Sequence, residues 1–192
     1  MIWYRIICRR RGPVLKSWSY RSKDGRPIGV RYAGINDAKI LHDGFCDVVS
    51  EGQWLPTFIS SATVPDWANW IQRASVGSEA ILVAEVDSHY AGHLTLQPEE
   101  WMASRHVAKL GVIVIKDFRN LGVGRSLMTS AEDVALVKEY EKIVLSTFSD
   151  NDLALSLYQS LGYRAIGFRV RHFKMERGYV DEILMEKIIQ AV

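Results

Sequence analysis

Cysteine is scarce in this chain of 192 residues: Cys8 and Cys46 are the only two. They are too few for a disulfide framework and fit a reducing cytosol, where both stay thiols. The five histidines, His42, His89, His93, His106 and His172, form no HExxH pattern, and neither cysteine is read as having a ligand partner at metal spacing, so no metal is expected. Long apolar runs are missing too. No stretch approaches the roughly 20 residues of a membrane span. The opening Met1–Cys8 is broken by Arg5 and lacks the order of a signal peptide, charge first and then an apolar run. A cytoplasmic protein without a membrane partner is therefore expected. Charge of one sign is also absent. Lys and Arg number 24 against 22 Asp and Glu, and the net +2 is too small to argue for nucleic acid. The run Arg9-Arg10-Arg11 reads as a solvated patch. No internal repeat or low-complexity tract is present.

What is there is an ordinary globular composition, 48% hydrophobic and 24% charged. Residues 1–27 read as an extension with a weak strand or two and no assigned role. Residues 28–192 read as one domain. Ile28 to Tyr32 suggests a short strand. Asn36 or Asp37 is placed to cap a helix carrying Ala38, Ile40, Leu41 and Phe45 on one side. A loop with Trp54, Pro56 and Phe58 follows, then a helix from Pro65 to about Gly77. Ala80–Val86 has the near-continuous apolar character of a buried strand. Tyr90–Leu96 returns after the turn Asp87-Ser88-His89, and Val107–Ile115 is a third strand. Residues 123–139 predict a helix, Ile143–Phe148 a strand and Asn151–Leu161 a helix. Tyr163–Phe173 and Tyr179–Ile189 are two long strands across Arg177-Gly178. A strand–helix–strand crossover makes the strands at 107–115 and 143–148 parallel neighbours. The expected fold is α/β, a twisted mixed sheet of about seven strands flanked by about four helices.

Between Val114 and Arg125 a strand ends, Gly122 and Gly124 sit one residue apart, and a helix begins. Glycine lets a ligand approach the backbone. A helix start adds unpaired N–H groups and a positive dipole end, and together these suit phosphate. Arg119 and Arg125 flank the loop. The residues alone also allow a glycine-rich helix entry with nothing bound. A Walker loop is excluded because Arg119 stands at its first glycine and Arg125 at its lysine. A dinucleotide fingerprint is excluded because Leu127 stands at its third glycine. A second constellation runs from Asn151 to Tyr163. Ala154, Leu157 and Leu161 have helical core spacing, and Gly162 ends the helix. Tyr158 lies beside that stripe and is either a packed tyrosine or one whose hydroxyl reaches a cleft.

The two constellations together resemble the GNAT superfamily of acyl-coenzyme A-dependent N-acyltransferases. Arg119-Asn120-Leu121-Gly122-Val123-Gly124 is similar to its Arg/Gln-x-x-Gly-x-Gly/Ala loop. Asn151, Ala154, Leu157, Tyr158 and Gly162 follow its downstream pattern, with Tyr163 in place of phenylalanine. The resemblance spans about Ile28 to Ile189. It implies acetyl-CoA as cosubstrate, an amine as acceptor (a small molecule, an amino acid or a peptide N-terminus), and it allows a homodimer. It also implies roles. Val112, Ile113 and Val114 would hold the pantetheine, the first and last through backbone groups. The amides of Asn120, Leu121, Gly122, Val123, Gly124 and Arg125 would hold the pyrophosphate, so that a bulky residue at either glycine would block it. Asn151 would contact the cofactor, and Tyr158 would protonate the departing thiolate.

One departure stands out. Related sequences often carry a glutamate where this chain has Lys109. His106 lies three positions away and faces oppositely on a strand. Other candidates for a base are Glu85, His93, Asp181 and Glu182, or water. The acceptor is expected between the loop at 51–59 and the hairpin at 169–181, with Trp54, Phe58 and Phe173 as walls. The alternatives are a non-catalytic acyl-CoA-binding domain on the same fold, or an interaction module built on residues 1–27.

Overall fold

The computed structural model describes residues 17–58 and 61–189. Cys8, Trp3 and the run Arg9–Arg11 lie outside them. The chain runs β1 (Ser17–Arg21), β2 (Pro27–Tyr32), α1 (Ala38–Ser50), α2 (Val64–Val76), β3 (Ala80–Val86), β4 (His89–Pro98), β5 (Val107–Val114), α3 (Val123–Val137), β6 (Lys142–Phe148), α4 (Asp152–Ser160), β7 (Arg164–Met175) and β8 (Gly178–Ile188). The strands form one sheet in the order β1-β2-β3-β4-β5-β6-β8-β7. The four helices match the expected number, and the sheet has eight strands where about seven were expected. The additional one is Ser17–Arg21, which pairs antiparallel with β2.

At its centre, along β3 and β4, the sheet is buried on both faces, which explains why β3 is apolar almost throughout. On one face α3 packs Leu127, Met128, Ala131 and Val134 against Leu82, Ala84, Leu94 and Leu96. On the other, α1 and α2 set Leu41, Trp67 and Ile71 against Ile81, Val83 and Tyr90. Thr63 starts α2 with a capping box, accepting from Asp66 N–H while the Asp66 carboxylate takes Thr63 N–H at 2.8 Å. The expected cap of α1 is corrected. Asp37 precedes that helix, but its carboxylate turns back to Gly34 N–H at 2.7 Å and to Arg31, because a 3-10 turn at Ile35–Asp37 comes first. Among the described residues no helix is long and apolar enough to cross a membrane.

The strands at β5 and β6 are parallel neighbours, as the crossover requires, but only briefly. They pair at Val107–Lys142, Ala108–Ile143 and Lys109–Val144 and then diverge. Beyond that point β5 stays with β4 as far as Val114, and β6 stays with β8 as far as Phe148. The sheet therefore splits along its middle, and α3 and α4 flank the opening.

Candidate active site

The split forms a cleft of about 530 Å³. Its two edges are unpaired strand backbone, and the hydrogen bonds around β5 fix which residues face it. Glu99 N–H donates to Val107 O, and Ile115 N–H donates to Ala91 O, so odd-numbered residues turn their backbone toward β4. Glu141 N–H donates to His106 O, so even-numbered residues turn toward β6. Beyond Lys109 there is no β6 to receive them. Val112 and Val114 thus present backbone groups to the cleft, as an edge strand would. Ile113 lines the cleft, but its own N–H and C=O belong to the β4 side.

At one end of the cleft α3 begins. Gly122 is its N-cap, with φ 101° in the left-handed region, and no side chain caps the helix. The first-turn amides at Val123, Gly124 and Arg125 have no carbonyl four residues back inside the helix. Asn120 is also left-handed, at φ 61°. A Cβ built on Gly122 would meet nothing within 4 Å, so the space before these amides is open. Gly124 is different: a Cβ there would stand 3.1 Å from Leu157 Cδ2 of α4. The first glycine leaves room for a ligand, whereas the second lets two helices approach.

The charge around the loop differs from the reading of the sequence. Arg119 does not stand free beside the loop. Its guanidinium grips Glu51 at the end of α1 through both terminal nitrogens, one at 2.6 Å, and its Nε donates to Val114 O at 2.9 Å. It also lies over the Trp54 ring, 5.3 Å from the centroid. The Arg119 hydrogen bonds hold the Glu51 carboxyl below its ordinary range. Arg119 therefore fastens the loop to α1 and to β5. Arg125 meets Ser160 Oγ at 2.6 Å and keeps its charge at the cleft. Lys23, from the turn between β1 and β2, also lines the cleft, and its N–H donates to Leu121 O at 3.0 Å.

Asn151 caps α4, its Oδ1 accepting from Ala154 N–H at 3.2 Å, and lines the cleft from that position. Tyr158 lies one helical stretch further on, 7% exposed and lining the same cleft. Burial pushes its phenol up to about 12, so it is protonated across the physiological range. Its hydroxyl has no partner among the described residues. A protonated donor with a free hydrogen, beside an unpaired strand edge, suits a departing anion.

The candidates for a base are scattered. Glu85 accepts from Arg31 at 2.6 Å on the far side of β3. Asp181 accepts from Arg171 N–H, and Glu182 is buried between Arg169 at 2.8 Å and His172 at 3.4 Å. None of these three lines the cleft. His93 does, in a second cavity, but burial drives its imidazole down to about 3, and its Nδ1 meets Tyr90 OH at 2.6 Å. Lys109 is exposed on β5. Trp54 and Phe173 reach the cleft from the loop after α1 and from the last hairpin, and Arg177 ties the two by donating to Gln53 O at 3.2 Å. Phe58, by contrast, is exposed and lines neither cavity. One reading of the cysteines is corrected: Cys46 Sγ lies 3.6 Å from His42 Nε2, one turn apart on α1, with no third ligand converging on them among the described residues.

A sequence model of the acetyltransferase (GNAT) family matches residues 47–163. The chain belongs to that family. The match runs from the last turn of α1 past the end of α4 and so contains both β5 and β6 of the cleft. An Escherichia coli L-amino acid N-acetyltransferase, AaaT, is 29% identical over 110 residues, covering 56% of this chain and 67% of that protein. A GCN5-related N-acetyltransferase from Kribbella flavida superposes with a TM-score of 0.76 at 26% identity, over 84% of this chain and 97% of that one. The fold is also shared with Salmonella typhimurium yncA, solved with its cofactor acetyl-CoA, at a TM-score of 0.80 and 16% identity, covering 86% and 95% of the two chains. As a GNAT acetyltransferase the protein is an acyl-CoA-dependent enzyme, with coenzyme A as cosubstrate and an amine as acceptor. Lys23 and Glu51 went unnoticed in the sequence. No motif marks either, since each reaches the GNAT loop only through the folding of a distant segment.

Proposed function

We propose that the enzyme acetylates the amino group of a free amino acid or similar small primary amine, with acetyl-CoA lying in the cleft between β5 and β6. The observation that carries this reading is the coincidence of three features in one cleft: an unpaired strand edge, an open helix N-terminus and a protonated tyrosine. The likeness to an L-amino acid N-acetyltransferase supports the acceptor class.

The fit to coenzyme A rests on the cleft's own donors. Val112 offers N–H and C=O to a pantetheine amide, while Val114 offers chiefly N–H because Arg119 occupies its carbonyl. The pyrophosphate suits the amides from Asn120 to Arg125, with Arg125 and Lys23 as countercharges. The bound thioester supplies an activated acetyl carbon. A strand amide on β5 stabilises the negative charge that develops on the carbonyl oxygen. Tyr158 holds the proton needed at sulfur, and holding two reactants together supplies much of the rate.

The test is release of free thiol from acetyl-CoA against a panel of amines, amino acids and peptides. Release with small primary amines is expected, and none with any acceptor would overturn the reading. The same assay gives a pH profile. His93 stays neutral above about 3, and Tyr158 stays protonated to about 12. Neither titrates between about pH 5 and about pH 10, and the other candidate bases are tied up away from the cleft. The rate at saturating acetyl-CoA is expected to climb toward the acceptor amine's own pKa. A plateau set by a group titrating near pH 6 to 7, the ordinary histidine range, would reveal a dedicated base.

Lys23 gives a smaller effect. Its charge is solvent-exposed, and such contacts contribute about 0.2–1 kcal/mol. Lys23→Gln is expected to weaken acetyl-CoA binding roughly two- to fivefold, and the difference should shrink at high salt because screening acts on exposed charges. Calorimetry at two ionic strengths checks it. Equal affinities at low salt would remove Lys23 from the site.

A further inference from the structure

A second cavity, of about 520 Å³, lies on the other face of β5, under α1 and α2. That size is typical of small-ligand sites. Phe45 of α1 and Trp67 and Trp70 of α2 form its walls, and His93 and Thr95 of β4 with Gly111 of β5 form its floor. The rings make one tilted cluster. Trp67 stands 5.9 Å from Phe45, 5.3 Å from Trp70 and 5.3 Å from His93, measured between ring centroids. His93 is buried with its Nδ1 bonded to Tyr90, so it contributes a neutral ring. Asp66, Arg73 and Glu79 are the charged residues of its lining, and Glu79 accepts from Trp70 Nε1.

This chamber adjoins the cofactor cleft across β5. Leu55, Gly111, Val112 and Ile113 line both. The side-chain direction at position 111 is the one shared by Ile113 and points to the chamber face, so a residue other than glycine would project into the chamber where it adjoins the cleft. A Cβ there would already lie 3.2 Å from Thr95 Oγ1.

We propose that this chamber is the acceptor subsite and that it selects primary amines carrying an aromatic side chain, with the ring against Trp67 and Trp70 and the amine directed past Gly111 to the thioester. The proposal rests on the acetyl-transfer reading above. Aromatic walls favour a ring in offset or edge-on contact, while a small aliphatic amine leaves them unfilled. In the transfer, the amine nitrogen bonds to the acetyl carbon and the carbon–sulfur bond breaks. Sulfur leaves with a proton from Tyr158, and the nitrogen gives up one proton to water, which restores the phenol.

The experiment compares kcat/KM for phenylalanine and phenethylamine with that for alanine, ethylamine and an alanine-starting tripeptide. Acetyl-CoA binding is followed by calorimetry in parallel. The wild type is expected to favour the aromatic acceptors by at least tenfold. Trp70→Ala should reduce that preference by at least tenfold, and Trp70→Phe, which keeps a ring, should restore most of it. Gly111→Val is a second route: it should lower kcat/KM for the aromatic acceptors by at least tenfold in a protein that still binds acetyl-CoA. Turnover that is equal for aromatic and aliphatic acceptors, or greatest for the peptide, overturns the proposal while leaving acetyl transfer intact. So does a preference that survives both Trp70→Ala and Gly111→Val. Absence of acetyl-CoA binding in the wild type would instead remove the acetyl-transfer reading itself.

Discussion

Replacing Tyr158 by phenylalanine is expected to lower turnover by roughly 100-fold or more, the scale of general acid catalysis, and to leave acetyl-CoA affinity within about twofold. The ring packs in the main core beside Tyr163, with centroids 6.2 Å apart, and phenylalanine fills the same space. The hydroxyl has no partner among the described residues, so its removal leaves none of their buried groups unsatisfied. Folding should therefore be nearly unaffected, and the loss should fall on kcat. A 100-fold loss corresponds to about 2.7 kcal/mol in the barrier. Single-turnover thiol release, with affinity measured by calorimetry, separates the two parameters. Equal turnover in the variant would return Tyr158 to a packing role.

The second large effect is on cofactor binding. Gly122→Val is expected to weaken acetyl-CoA affinity by roughly 30-fold, which is the upper end, about 2 kcal/mol, of what a helix N-terminus gives an anion. Two consequences act together. A β-branched residue at φ 101° is strained, so the loop must shift and the amides from Asn120 to Arg125 lose their common aim. The new side chain also enters space that nothing in the protein occupies. Strain of this kind costs about 1–3 kcal/mol, within the margin of a typical domain, so the protein should remain folded. Gly124→Ala is the control. Its Cβ adds a single carbon that presses on a leucine methyl of α4, at a helical position free of φ strain, so affinity should change much less. Thermal melting and calorimetry on both variants check the distinction. Unchanged affinity in Gly122→Val would remove the pyrophosphate from this loop.

The local elements were largely legible in the residues. The apolar run Ala80–Val86 declares a strand covered on both faces, and the turn at Gly122 and Gly124 followed by an apolar stripe declares a helix with an open start. These follow from short-range constraints, period and backbone freedom, which neighbours in sequence impose on one another. The same holds for Gly162, left-handed at φ 86° just past α4, and for Tyr158 beside its stripe. The strand Ser17–Arg21 was faint, because it has only five residues and alternates between exposed and half-buried positions.

The charges of the site were decided in three dimensions. Arg119 looks like a phosphate ligand in the sequence, yet Glu51, 68 positions earlier, consumes its guanidinium. Lys23 looks like part of a turn, yet the β1–β2 hairpin carries it to the GNAT loop. His93 looks like a base, yet its burial beneath α1 and α2 leaves the imidazole a poor proton acceptor. Pairing and desolvation depend on distances between segments that the order of residues does not record. The sequence by itself determined the order of strands and helices and the open start of α3, since both arise from local backbone rules, and its two motifs carried the likeness to the GNAT family. Only the tertiary structure decided which ionisable groups remain free to act, and where β5 and β6 part to open a cleft on one face and meet an aromatic chamber on the other.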